Sequence, residues 1–513
     1  MADRVDTDTP FSPGWYLRVL MERLHNRRVG RDGRRRWSRT SLTSSRLRPP
    51  LMLLDDYWRG DPPLQEDIHR GWGDPFRQYY RMGRLHVADL LVSATSNRMG
   101  IRDFRTAAAA DELGDTAARD LMRANRLKLV ARDVHDTMLG LGDGYTMLTP
   151  PDAERDYTLI TAESPLYTIT AHGASGRTLA GLKMVRDDWD TADLAFLFIR
   201  DQGLYVARLE GPTTLKSNRP FSFSTKWMWD VDMFDDVPGG LVPIVRFRNR
   251  RGVGEFEHHL DTLDRINDKL FNEWWISKLQ AFRQRALIIA DEDQDDDYEN
   301  DGEDSAPEVS VTPEEARGLV ENADRLFDKY ARGELDGIFS SSPDALWTLP
   351  AGAKLWESAT ANFEPLMTSV KRELVHLAAV TSNPLHTMAP DAAGGSAEGA
   401  SLLREEHVYK VEDRRDRADG AWAETIAMAF LFQGDTERAD VRQIQTIWGP
   451  VERYSITEKA SAASSLKGSL PQEAIWTDVL QYEPADVTER LRDLRARDTL
   501  FNEVPGGTQQ QGA

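Results

Sequence analysis

Between Arg77 and Leu148 the apolar residues recur mostly at steps of three and four, as in "LHVADLLVSATSNRMG" and "AARDLMRANRLKLVARDVHDTMLGLGDGY". In the second stretch Leu121, Leu127, Val130, Val134 and Met138 share one face, which predicts an amphipathic helix. Gly140, Gly142 and Gly144 close it, so "GDG" reads as a helix stop and a turn into the strand "YTML". From residue 155 to 250 the pattern changes to β-branched and aromatic runs, "DYTLITAES", "LAGLKMVRD", "LAFLFIRDQGLYVARLEG" and "LVPIVRFRN", with hairpin chemistry at "RDQGL". Strands and helices are grouped rather than alternating, which predicts a mixed body of the α+β kind and not a doubly wound nucleotide fold.

Three long helices are predicted in the second half. The first covers about Glu255 to Arg285, with Phe256, Leu260, Leu263, Ile266, Leu270, Trp274 and Leu279 as its buried stripe. The second starts near Asn362 with a seam of Phe363, Leu366, Val370, Leu374 and Leu377 close to the heptad period, and stops at "TSNPLHTMAP", where Pro384 and Pro390 forbid continuation. The third, about Ser401 to Phe432, opens highly charged ("REEHVYKVEDRRDRADG") and turns apolar ("AWAETIAMAFLF"), so a wet first half and a buried second half are expected. Beyond it "DVRQIQTIWGPV" reads as a strand, and three short helices follow to about residue 500, ahead of a polar tail.

Composition narrows the picture. The 513 residues suffice for roughly two to four domains. With 84 acidic against 64 basic residues the formal charge is -20, which argues against a simple nucleic-acid coat while leaving local contacts open. The absence of cysteine excludes disulfides, thiolate metal sites and a cysteine nucleophile. No run resembles a signal peptide or membrane span, so a soluble intracellular product is expected. Eleven arginines between residues 17 and 48, including the run from Arg27 to Arg39, suit either a nucleic-acid patch or a solvated arm docking on an acidic neighbour.

Candidate chemistry is sparse. The stretch "PDAAGGSAEGASL" lacks the lysine of a phosphate cradle and follows a helix instead of a strand, which leaves a flexible linker or a mobile loop beside a large partner. Ten of the fourteen residues from Asp291 to Asp304 are acidic, predicting a solvated, disordered segment. Within it Asp297, Glu299, Asp301, Gly302 and Glu308 match an EF-hand spacing, but Asp304 stands where an apolar residue belongs and no flanking helix begins it. His258 and His259 read as solvent-facing on a charged helix, and no metal, nucleophile-elbow or paired-acid motif stands out.

The order of elements carries more. "GLVPIVRFRNRRGVGEFEHHLDTLDRINDKLFNEWWISKLQAFRQRALIIA", then "LWTLPAGAKLWESATANFEPLMTSVKRELVHLAAVTSNPLH", then "SAEGASLLREEHVYKV" resembles the portal proteins of long-tailed bacteriophages, with support from "NRMGIRDFR" and "LGDGY". The similarity runs from about Tyr80 to Arg492. It implies a portal fold: a basic arm (1–50), a mixed α/β wing (51–254), stem helix 1 (255–285), a small α/β clip (286–356) with an acidic insert (291–308), stem helix 2 (357–382), a tunnel loop (383–400), a long kinked helix with the second part of the wing (401–454), a helical crown (455–500) and a disordered tail (501–513).

The function implied is that of a dodecameric ring at the capsid vertex of a virion, assembled in the host cytoplasm, through which double-stranded DNA is packaged and ejected. The implied partners are further copies, the terminase large subunit, a head-completion adaptor, the major capsid protein and a scaffold, with no membrane, no cofactor and no enzymatic activity of its own. The tunnel loop would bring Asn383, His386, Thr387, Gly394, Gly395, Ser396, Glu398 and Gly399 to the channel. Lys278, Arg283, Lys371 and Arg372 would face the DNA or bridge subunits. A magnesium-dependent nucleic-acid-processing enzyme and a calcium-binding scaffold are the alternatives.

Overall fold

The computed structural model describes residues 5–26, 50–63, 80–106, 108, 114–187, 192–210, 221, 223–230, 237–281, 285–288, 354–357, 364–384, 397–452 and 455–502. The chain divides into two compact units, Met1–Asp268 with Ser369–Ala513, and Lys269–Thr368. The described elements are helices and antiparallel strands, an α+β architecture.

The first unit opens with helix α1 (Pro13–Asn26), whose Leu17, Leu20, Met21 and Leu24 are fully buried. The start of the expected solvated arm is therefore core, because the i, i+3, i+4, i+7 spacing of these side chains gives the helix one apolar face. The Arg27–Arg39 run lies outside the described residues. Helices α2 (Leu51–Trp58) and α3 (Val87–Ser96) lead to a strand the periodicity did not reveal, β1 (Ile101–Arg105). The single helix expected over Leu121–Met138 is two, α4 (Thr116–Ala124) and α5 (Leu127–Leu141), broken where Arg126 takes a left-handed backbone (φ 49°).

The β region follows the sequence pattern closely. β2 (Asp143–Thr149) lies between β3 (Leu159–Glu163) and β9 (Ile244–Arg248). A five-stranded meander runs β4 (Thr168–His172), β5 (Thr178–Asp187), β6 (Ala192–Ile199), β7 (Gly203–Glu210) and β8 (Met228–Trp229). Its period-two alternation buries Ala180, Leu182 and Met184 of β5 and Ala195, Leu197 and Ile199 of β6 under α1, while Phe198 points to the opposite face with Tyr145, Val242 and Ile244.

Glycines permit the tight crossing at the end of α5. Gly142 (φ 89°) ends the helix, and an added Cβ there would lie 2.2 Å from the Gly252 carbonyl oxygen. A Cβ on Gly254 would lie 2.2 Å from the Gly140 carbonyl oxygen, a backbone atom that cannot turn aside. Gly254→Ala is expected to destabilise the protein by about 1–3 kcal/mol, seen as a lowered urea midpoint with unchanged slope.

Helix α6 (Leu260–Ala281) is shorter than the expected 255–285: a 3-10 turn (Glu257–His259) precedes it and Arg285 begins a strand. His258 is exposed but His259 is half-buried, and both lie in that turn rather than on the long helix. Phe256, Leu260, Leu263 and Ile266 are buried as read, after which Phe271 replaces Leu270.

In the second unit, Phe271 stacks on Trp275 at 6.2 Å, and β10 (Arg285–Ile288) pairs antiparallel with β11 (Lys354–Glu357). The acidic run 291–308 and its EF-hand match lie outside the described residues.

Helix α7 (Glu364–Val380) returns to the first unit, burying Val370 and Leu377 of the predicted seam. Helix α8 (Ala397–Phe432) is one continuous helix and begins four residues before the expected Ser401. β12 (Gln445–Trp448) pairs with β1, and α9 (Ile456–Leu466), a short helical turn at Gln472–Val479 and α10 (Pro484–Asn502) complete the chain as predicted.

Candidate functional site

The expected wet half of α8 carries a buried stripe. His407, Lys410, Val411, Arg414, Arg415 and Ala418 are all nine-tenths or more buried, in phase with Trp422, Ile426 and Ala429 further along. The spacing is that of a single helix face, so the face that enters the apolar core at Trp422 has already entered the protein at His407, within about two turns of residue 401. Charge density concealed it, because long cationic side chains can bury their stems and still reach polar partners.

Two of these cations, Lys410 and Arg414, converge on Glu255. Its carboxylate lies 3.0 Å from the Lys410 ammonium and 2.7 Å from the Arg414 guanidinium, and accepts a 3.0 Å hydrogen bond from the Asn249 amide. Burial pushes the Glu255 carboxyl up, but the Lys410 and Arg414 charges together outweigh it and hold the group down at about 2. The Lys410 ammonium also donates to the Thr381 carbonyl (2.8 Å) and to the Asn383 side-chain oxygen (3.2 Å). Burial lowers its pKa while the Glu255 carboxylate favours its charged form.

The same helix face grips the end of α7 a second time. Both ring nitrogens of His407 face backbone carbonyls, Ser382 at 3.0 Å and Ala94 at 3.2 Å. A neutral imidazole donates to one of them, and only imidazolium would donate to both. Burial is the larger effect and, with the Arg98 and Lys410 charges, holds His407 at about 4 in spite of the carbonyls. Ser382 itself has a left-handed backbone (φ 50°), a strained conformation for a residue with a side chain, kept in place by these contacts. Arg415 donates to the Arg98 carbonyl oxygen and lies over the Trp448 ring.

The start of α6 is fixed in a comparable way. The Tyr57 hydroxyl donates to both Asp264 oxygens (2.8 and 2.9 Å), the Asn267 side-chain oxygen accepts from the Leu85 amide (2.9 Å), and the Tyr80 hydroxyl donates to Asp268. Arg265 reaches Glu373 of α7 at 3.1 Å. The site is thus a junction at which the head of α6, the tail of α7 and the middle of α8 meet on buried charge.

Asn383, expected at a channel, is buried within the subunit against Thr381 and Lys410. Glu398 and Gly399 belong to the first turn of α8 and not to a loop. His386, Thr387, Gly394, Gly395, Ser396 and Arg283 lie outside the described residues, and of Lys278 only its place in α6 is described. Lys371 and Arg372 are exposed on α7. Glu255, His407, Lys410 and Arg414 escaped the sequence reading; tracing the Trp422–Ala429 phase backwards would have found the three on α8, whereas nothing local marks Glu255 as their partner. Among the described residues no group of three or more His, Asp or Glu side chains could hold a metal ion, and no helix is long and apolar enough to cross a membrane.

No model of a known protein family matches the chain, and no curated protein matches it. Among solved structures, it is similar to a chain of the neck of an empty gene transfer agent (GTA) particle computed with C6 symmetry, at TM-score 0.40 and 15% identity over 80% of this chain and 92% of that one. It is also similar to a chain of the virion of a native GTA particle (TM-score 0.40, 13% identity, 80% and 94% covered) and of the neck of a native GTA particle computed with C12 symmetry (0.39, 12%, 79% and 93%).

Proposed function

We propose that the protein is a phage-type portal subunit, one of a ring that conducts double-stranded DNA into and out of a capsid and offers a dock to a packaging motor and to head-tail connector proteins. The observation that carries this reading is the order of elements at the junction. Two long helices, α6 and α7, flank residues 282–363, and the segment after the second helix leads at once into α8, the longest helix described. The phrase-level sequence resemblance assigns the same order to stem, clip, tunnel loop and wing. The junction supports the reading physically, since a segment working beside moving DNA needs rigid ends, and Thr381, Ser382 and Asn383 are each held by side chains of α8.

An acidic chain suits a conduit, because a lining dense in lysine and arginine would bind phosphates and hinder sliding. Negative-stain electron microscopy of the purified full-length chain tests the proposal: rings with a central hole at least as wide as duplex DNA are expected. Monomers or dimers alone at high protein concentration would remove it. ATPase or nuclease turnover by the isolated chain would favour an enzyme instead.

A further inference from the structure

A cleft of about 1100 Å³ opens between the Asn97–Arg102 turn and the start of α5 on one side and residues 449–452, the first turn of α9 and residues 481–483 on the other. Five of its lining side chains are arginine or lysine and three are glutamate, a local positive balance in a chain of net charge -20. Gln481 in its wall has a left-handed backbone (φ 57°), as does Arg126 (φ 49°) in an adjoining hollow of about 240 Å³ that shares Arg102, Lys128 and Glu483 with the cleft. Strained backbone of this kind persists where surroundings impose it and gathers at functional surfaces.

The C-terminal helices that form one wall have little to hold them. α9 buries no side chain, and among the described side chains between residues 455 and 496 the apolar ones buried are Ile475, Pro484 and Val487. Their tether to the rest of the unit is polar: the Arg102 guanidinium donates to the Gln481 and Tyr482 carbonyls at 2.9 and 3.2 Å, and Lys128 meets Glu483 at 2.9 Å in a pair half-exposed on both sides. An exposed pair of that kind contributes about 1 kcal/mol at most. A helix of 11 residues is marginal without an apolar face to bury, so these helices need a further cover. Two large apolar side chains are exposed nearby: Ile456, 87% exposed in the turn that also carries the lining residues Glu458 and Lys459, and Leu129, 62% exposed in the adjoining hollow.

We infer that this cleft receives an acidic element of a second copy of the chain, in a head-to-tail contact. Exposed apolar anchors and three wall carboxylates suit a polypeptide better than a continuous phosphate backbone. The strong net negative charge of each copy makes its own surface the complement of a positively balanced cleft. A cleft that takes an acidic element from a different part of the next copy makes a heterologous contact, which is the kind that can close into rings. The inference rests on the ring reading and locates one of its contacts.

The test uses the full-length chain with benzoylphenylalanine at position 456, and separately the double variant Leu129→Asp/Ile456→Asp, whose positions are exposed and therefore neutral to folding. Photocrosslinks between two copies are expected, and mass photometry should show self-association of the double variant weakened by about tenfold or more. Rings that form with unchanged concentration dependence in the double variant, or crosslinks confined to one chain or made only to added duplex DNA, would overturn the cleft assignment while leaving the ring reading intact. A wild-type chain monomeric at every concentration would remove both.

Discussion

Glu255→Leu is expected to destabilise the protein by about 3–5 kcal/mol, because it leaves the buried Lys410 and Arg414 without their shared carboxylate. Removing two charges from water is costly, and the attraction that offsets this cost vanishes with one partner. The triple variant Glu255→Leu/Lys410→Met/Arg414→Met removes the charges together, and its stability should lie well above that of the single variant. It should not fully match the wild type, since the Thr381 carbonyl and the Asn383 side chain lose the Lys410 donor, at about 1–3 kcal/mol for a buried group left unpaired. Urea unfolding of the three proteins checks the order. If the single and triple variants are equally unstable, the junction is held by packing and not by charge.

Acid should weaken the fold well above the usual carboxylate range. His135 is fully buried, accepts a 2.9 Å hydrogen bond from the Trp422 indole, and is pushed down by burial and then by Arg415 to about 3; His407 lies at about 4. Both histidines take up a proton near 6.5 in the unfolded chain, so between pH 6.5 and 4 the unfolded state binds more protons than the folded one. Stability from the neutral rings is therefore fully present above pH 6.5 and is lost as the pH falls towards 4 and 3. Two such groups give a slope approaching about 2.7 kcal/mol per pH unit near pH 5. The Glu255 contribution has a lower window: it is present above pH 4.5 and lost as the pH falls towards 2. Urea midpoints measured from pH 7.5 down to 4.5 should show the histidine slope, and His135→Gln/His407→Gln should flatten it. An unchanged slope in the double variant would assign the acid sensitivity to other groups.

Much of the fold was legible because local chemistry and tertiary demand agree. β5 and β6 alternate as a half-buried sheet must, Gly142 supplies the left-handed backbone that ends α5, and Pro384 stops α7 near the predicted point. The misses share a cause. α1 was hidden by the arginines that follow it, although Leu17, Leu20, Met21 and Leu24 keep helical spacing. β1 is five residues long and pairs with β12, some 340 positions away, so no short window reveals it. The break between α4 and α5 falls in a continuous periodic run, where a single backbone reversal at Arg126 leaves no trace in hydrophobicity. Of the candidate site, the positions of the helices were readable and the partners of their side chains were not.

By itself the sequence determined most of the helices and strands after α5, the acidic balance, the absence of thiol chemistry and the place where α7 must stop, because periodicity, charge and proline act over a few neighbouring residues. Only the tertiary structure decided that Lys410 and Arg414 are buried on Glu255 and that His407 and Asn383 are turned inward. Whether a charged side chain is solvated or paired depends on what stands opposite it, and here that partner lies about 155 residues away along the chain, brought near only when three helices close on one point.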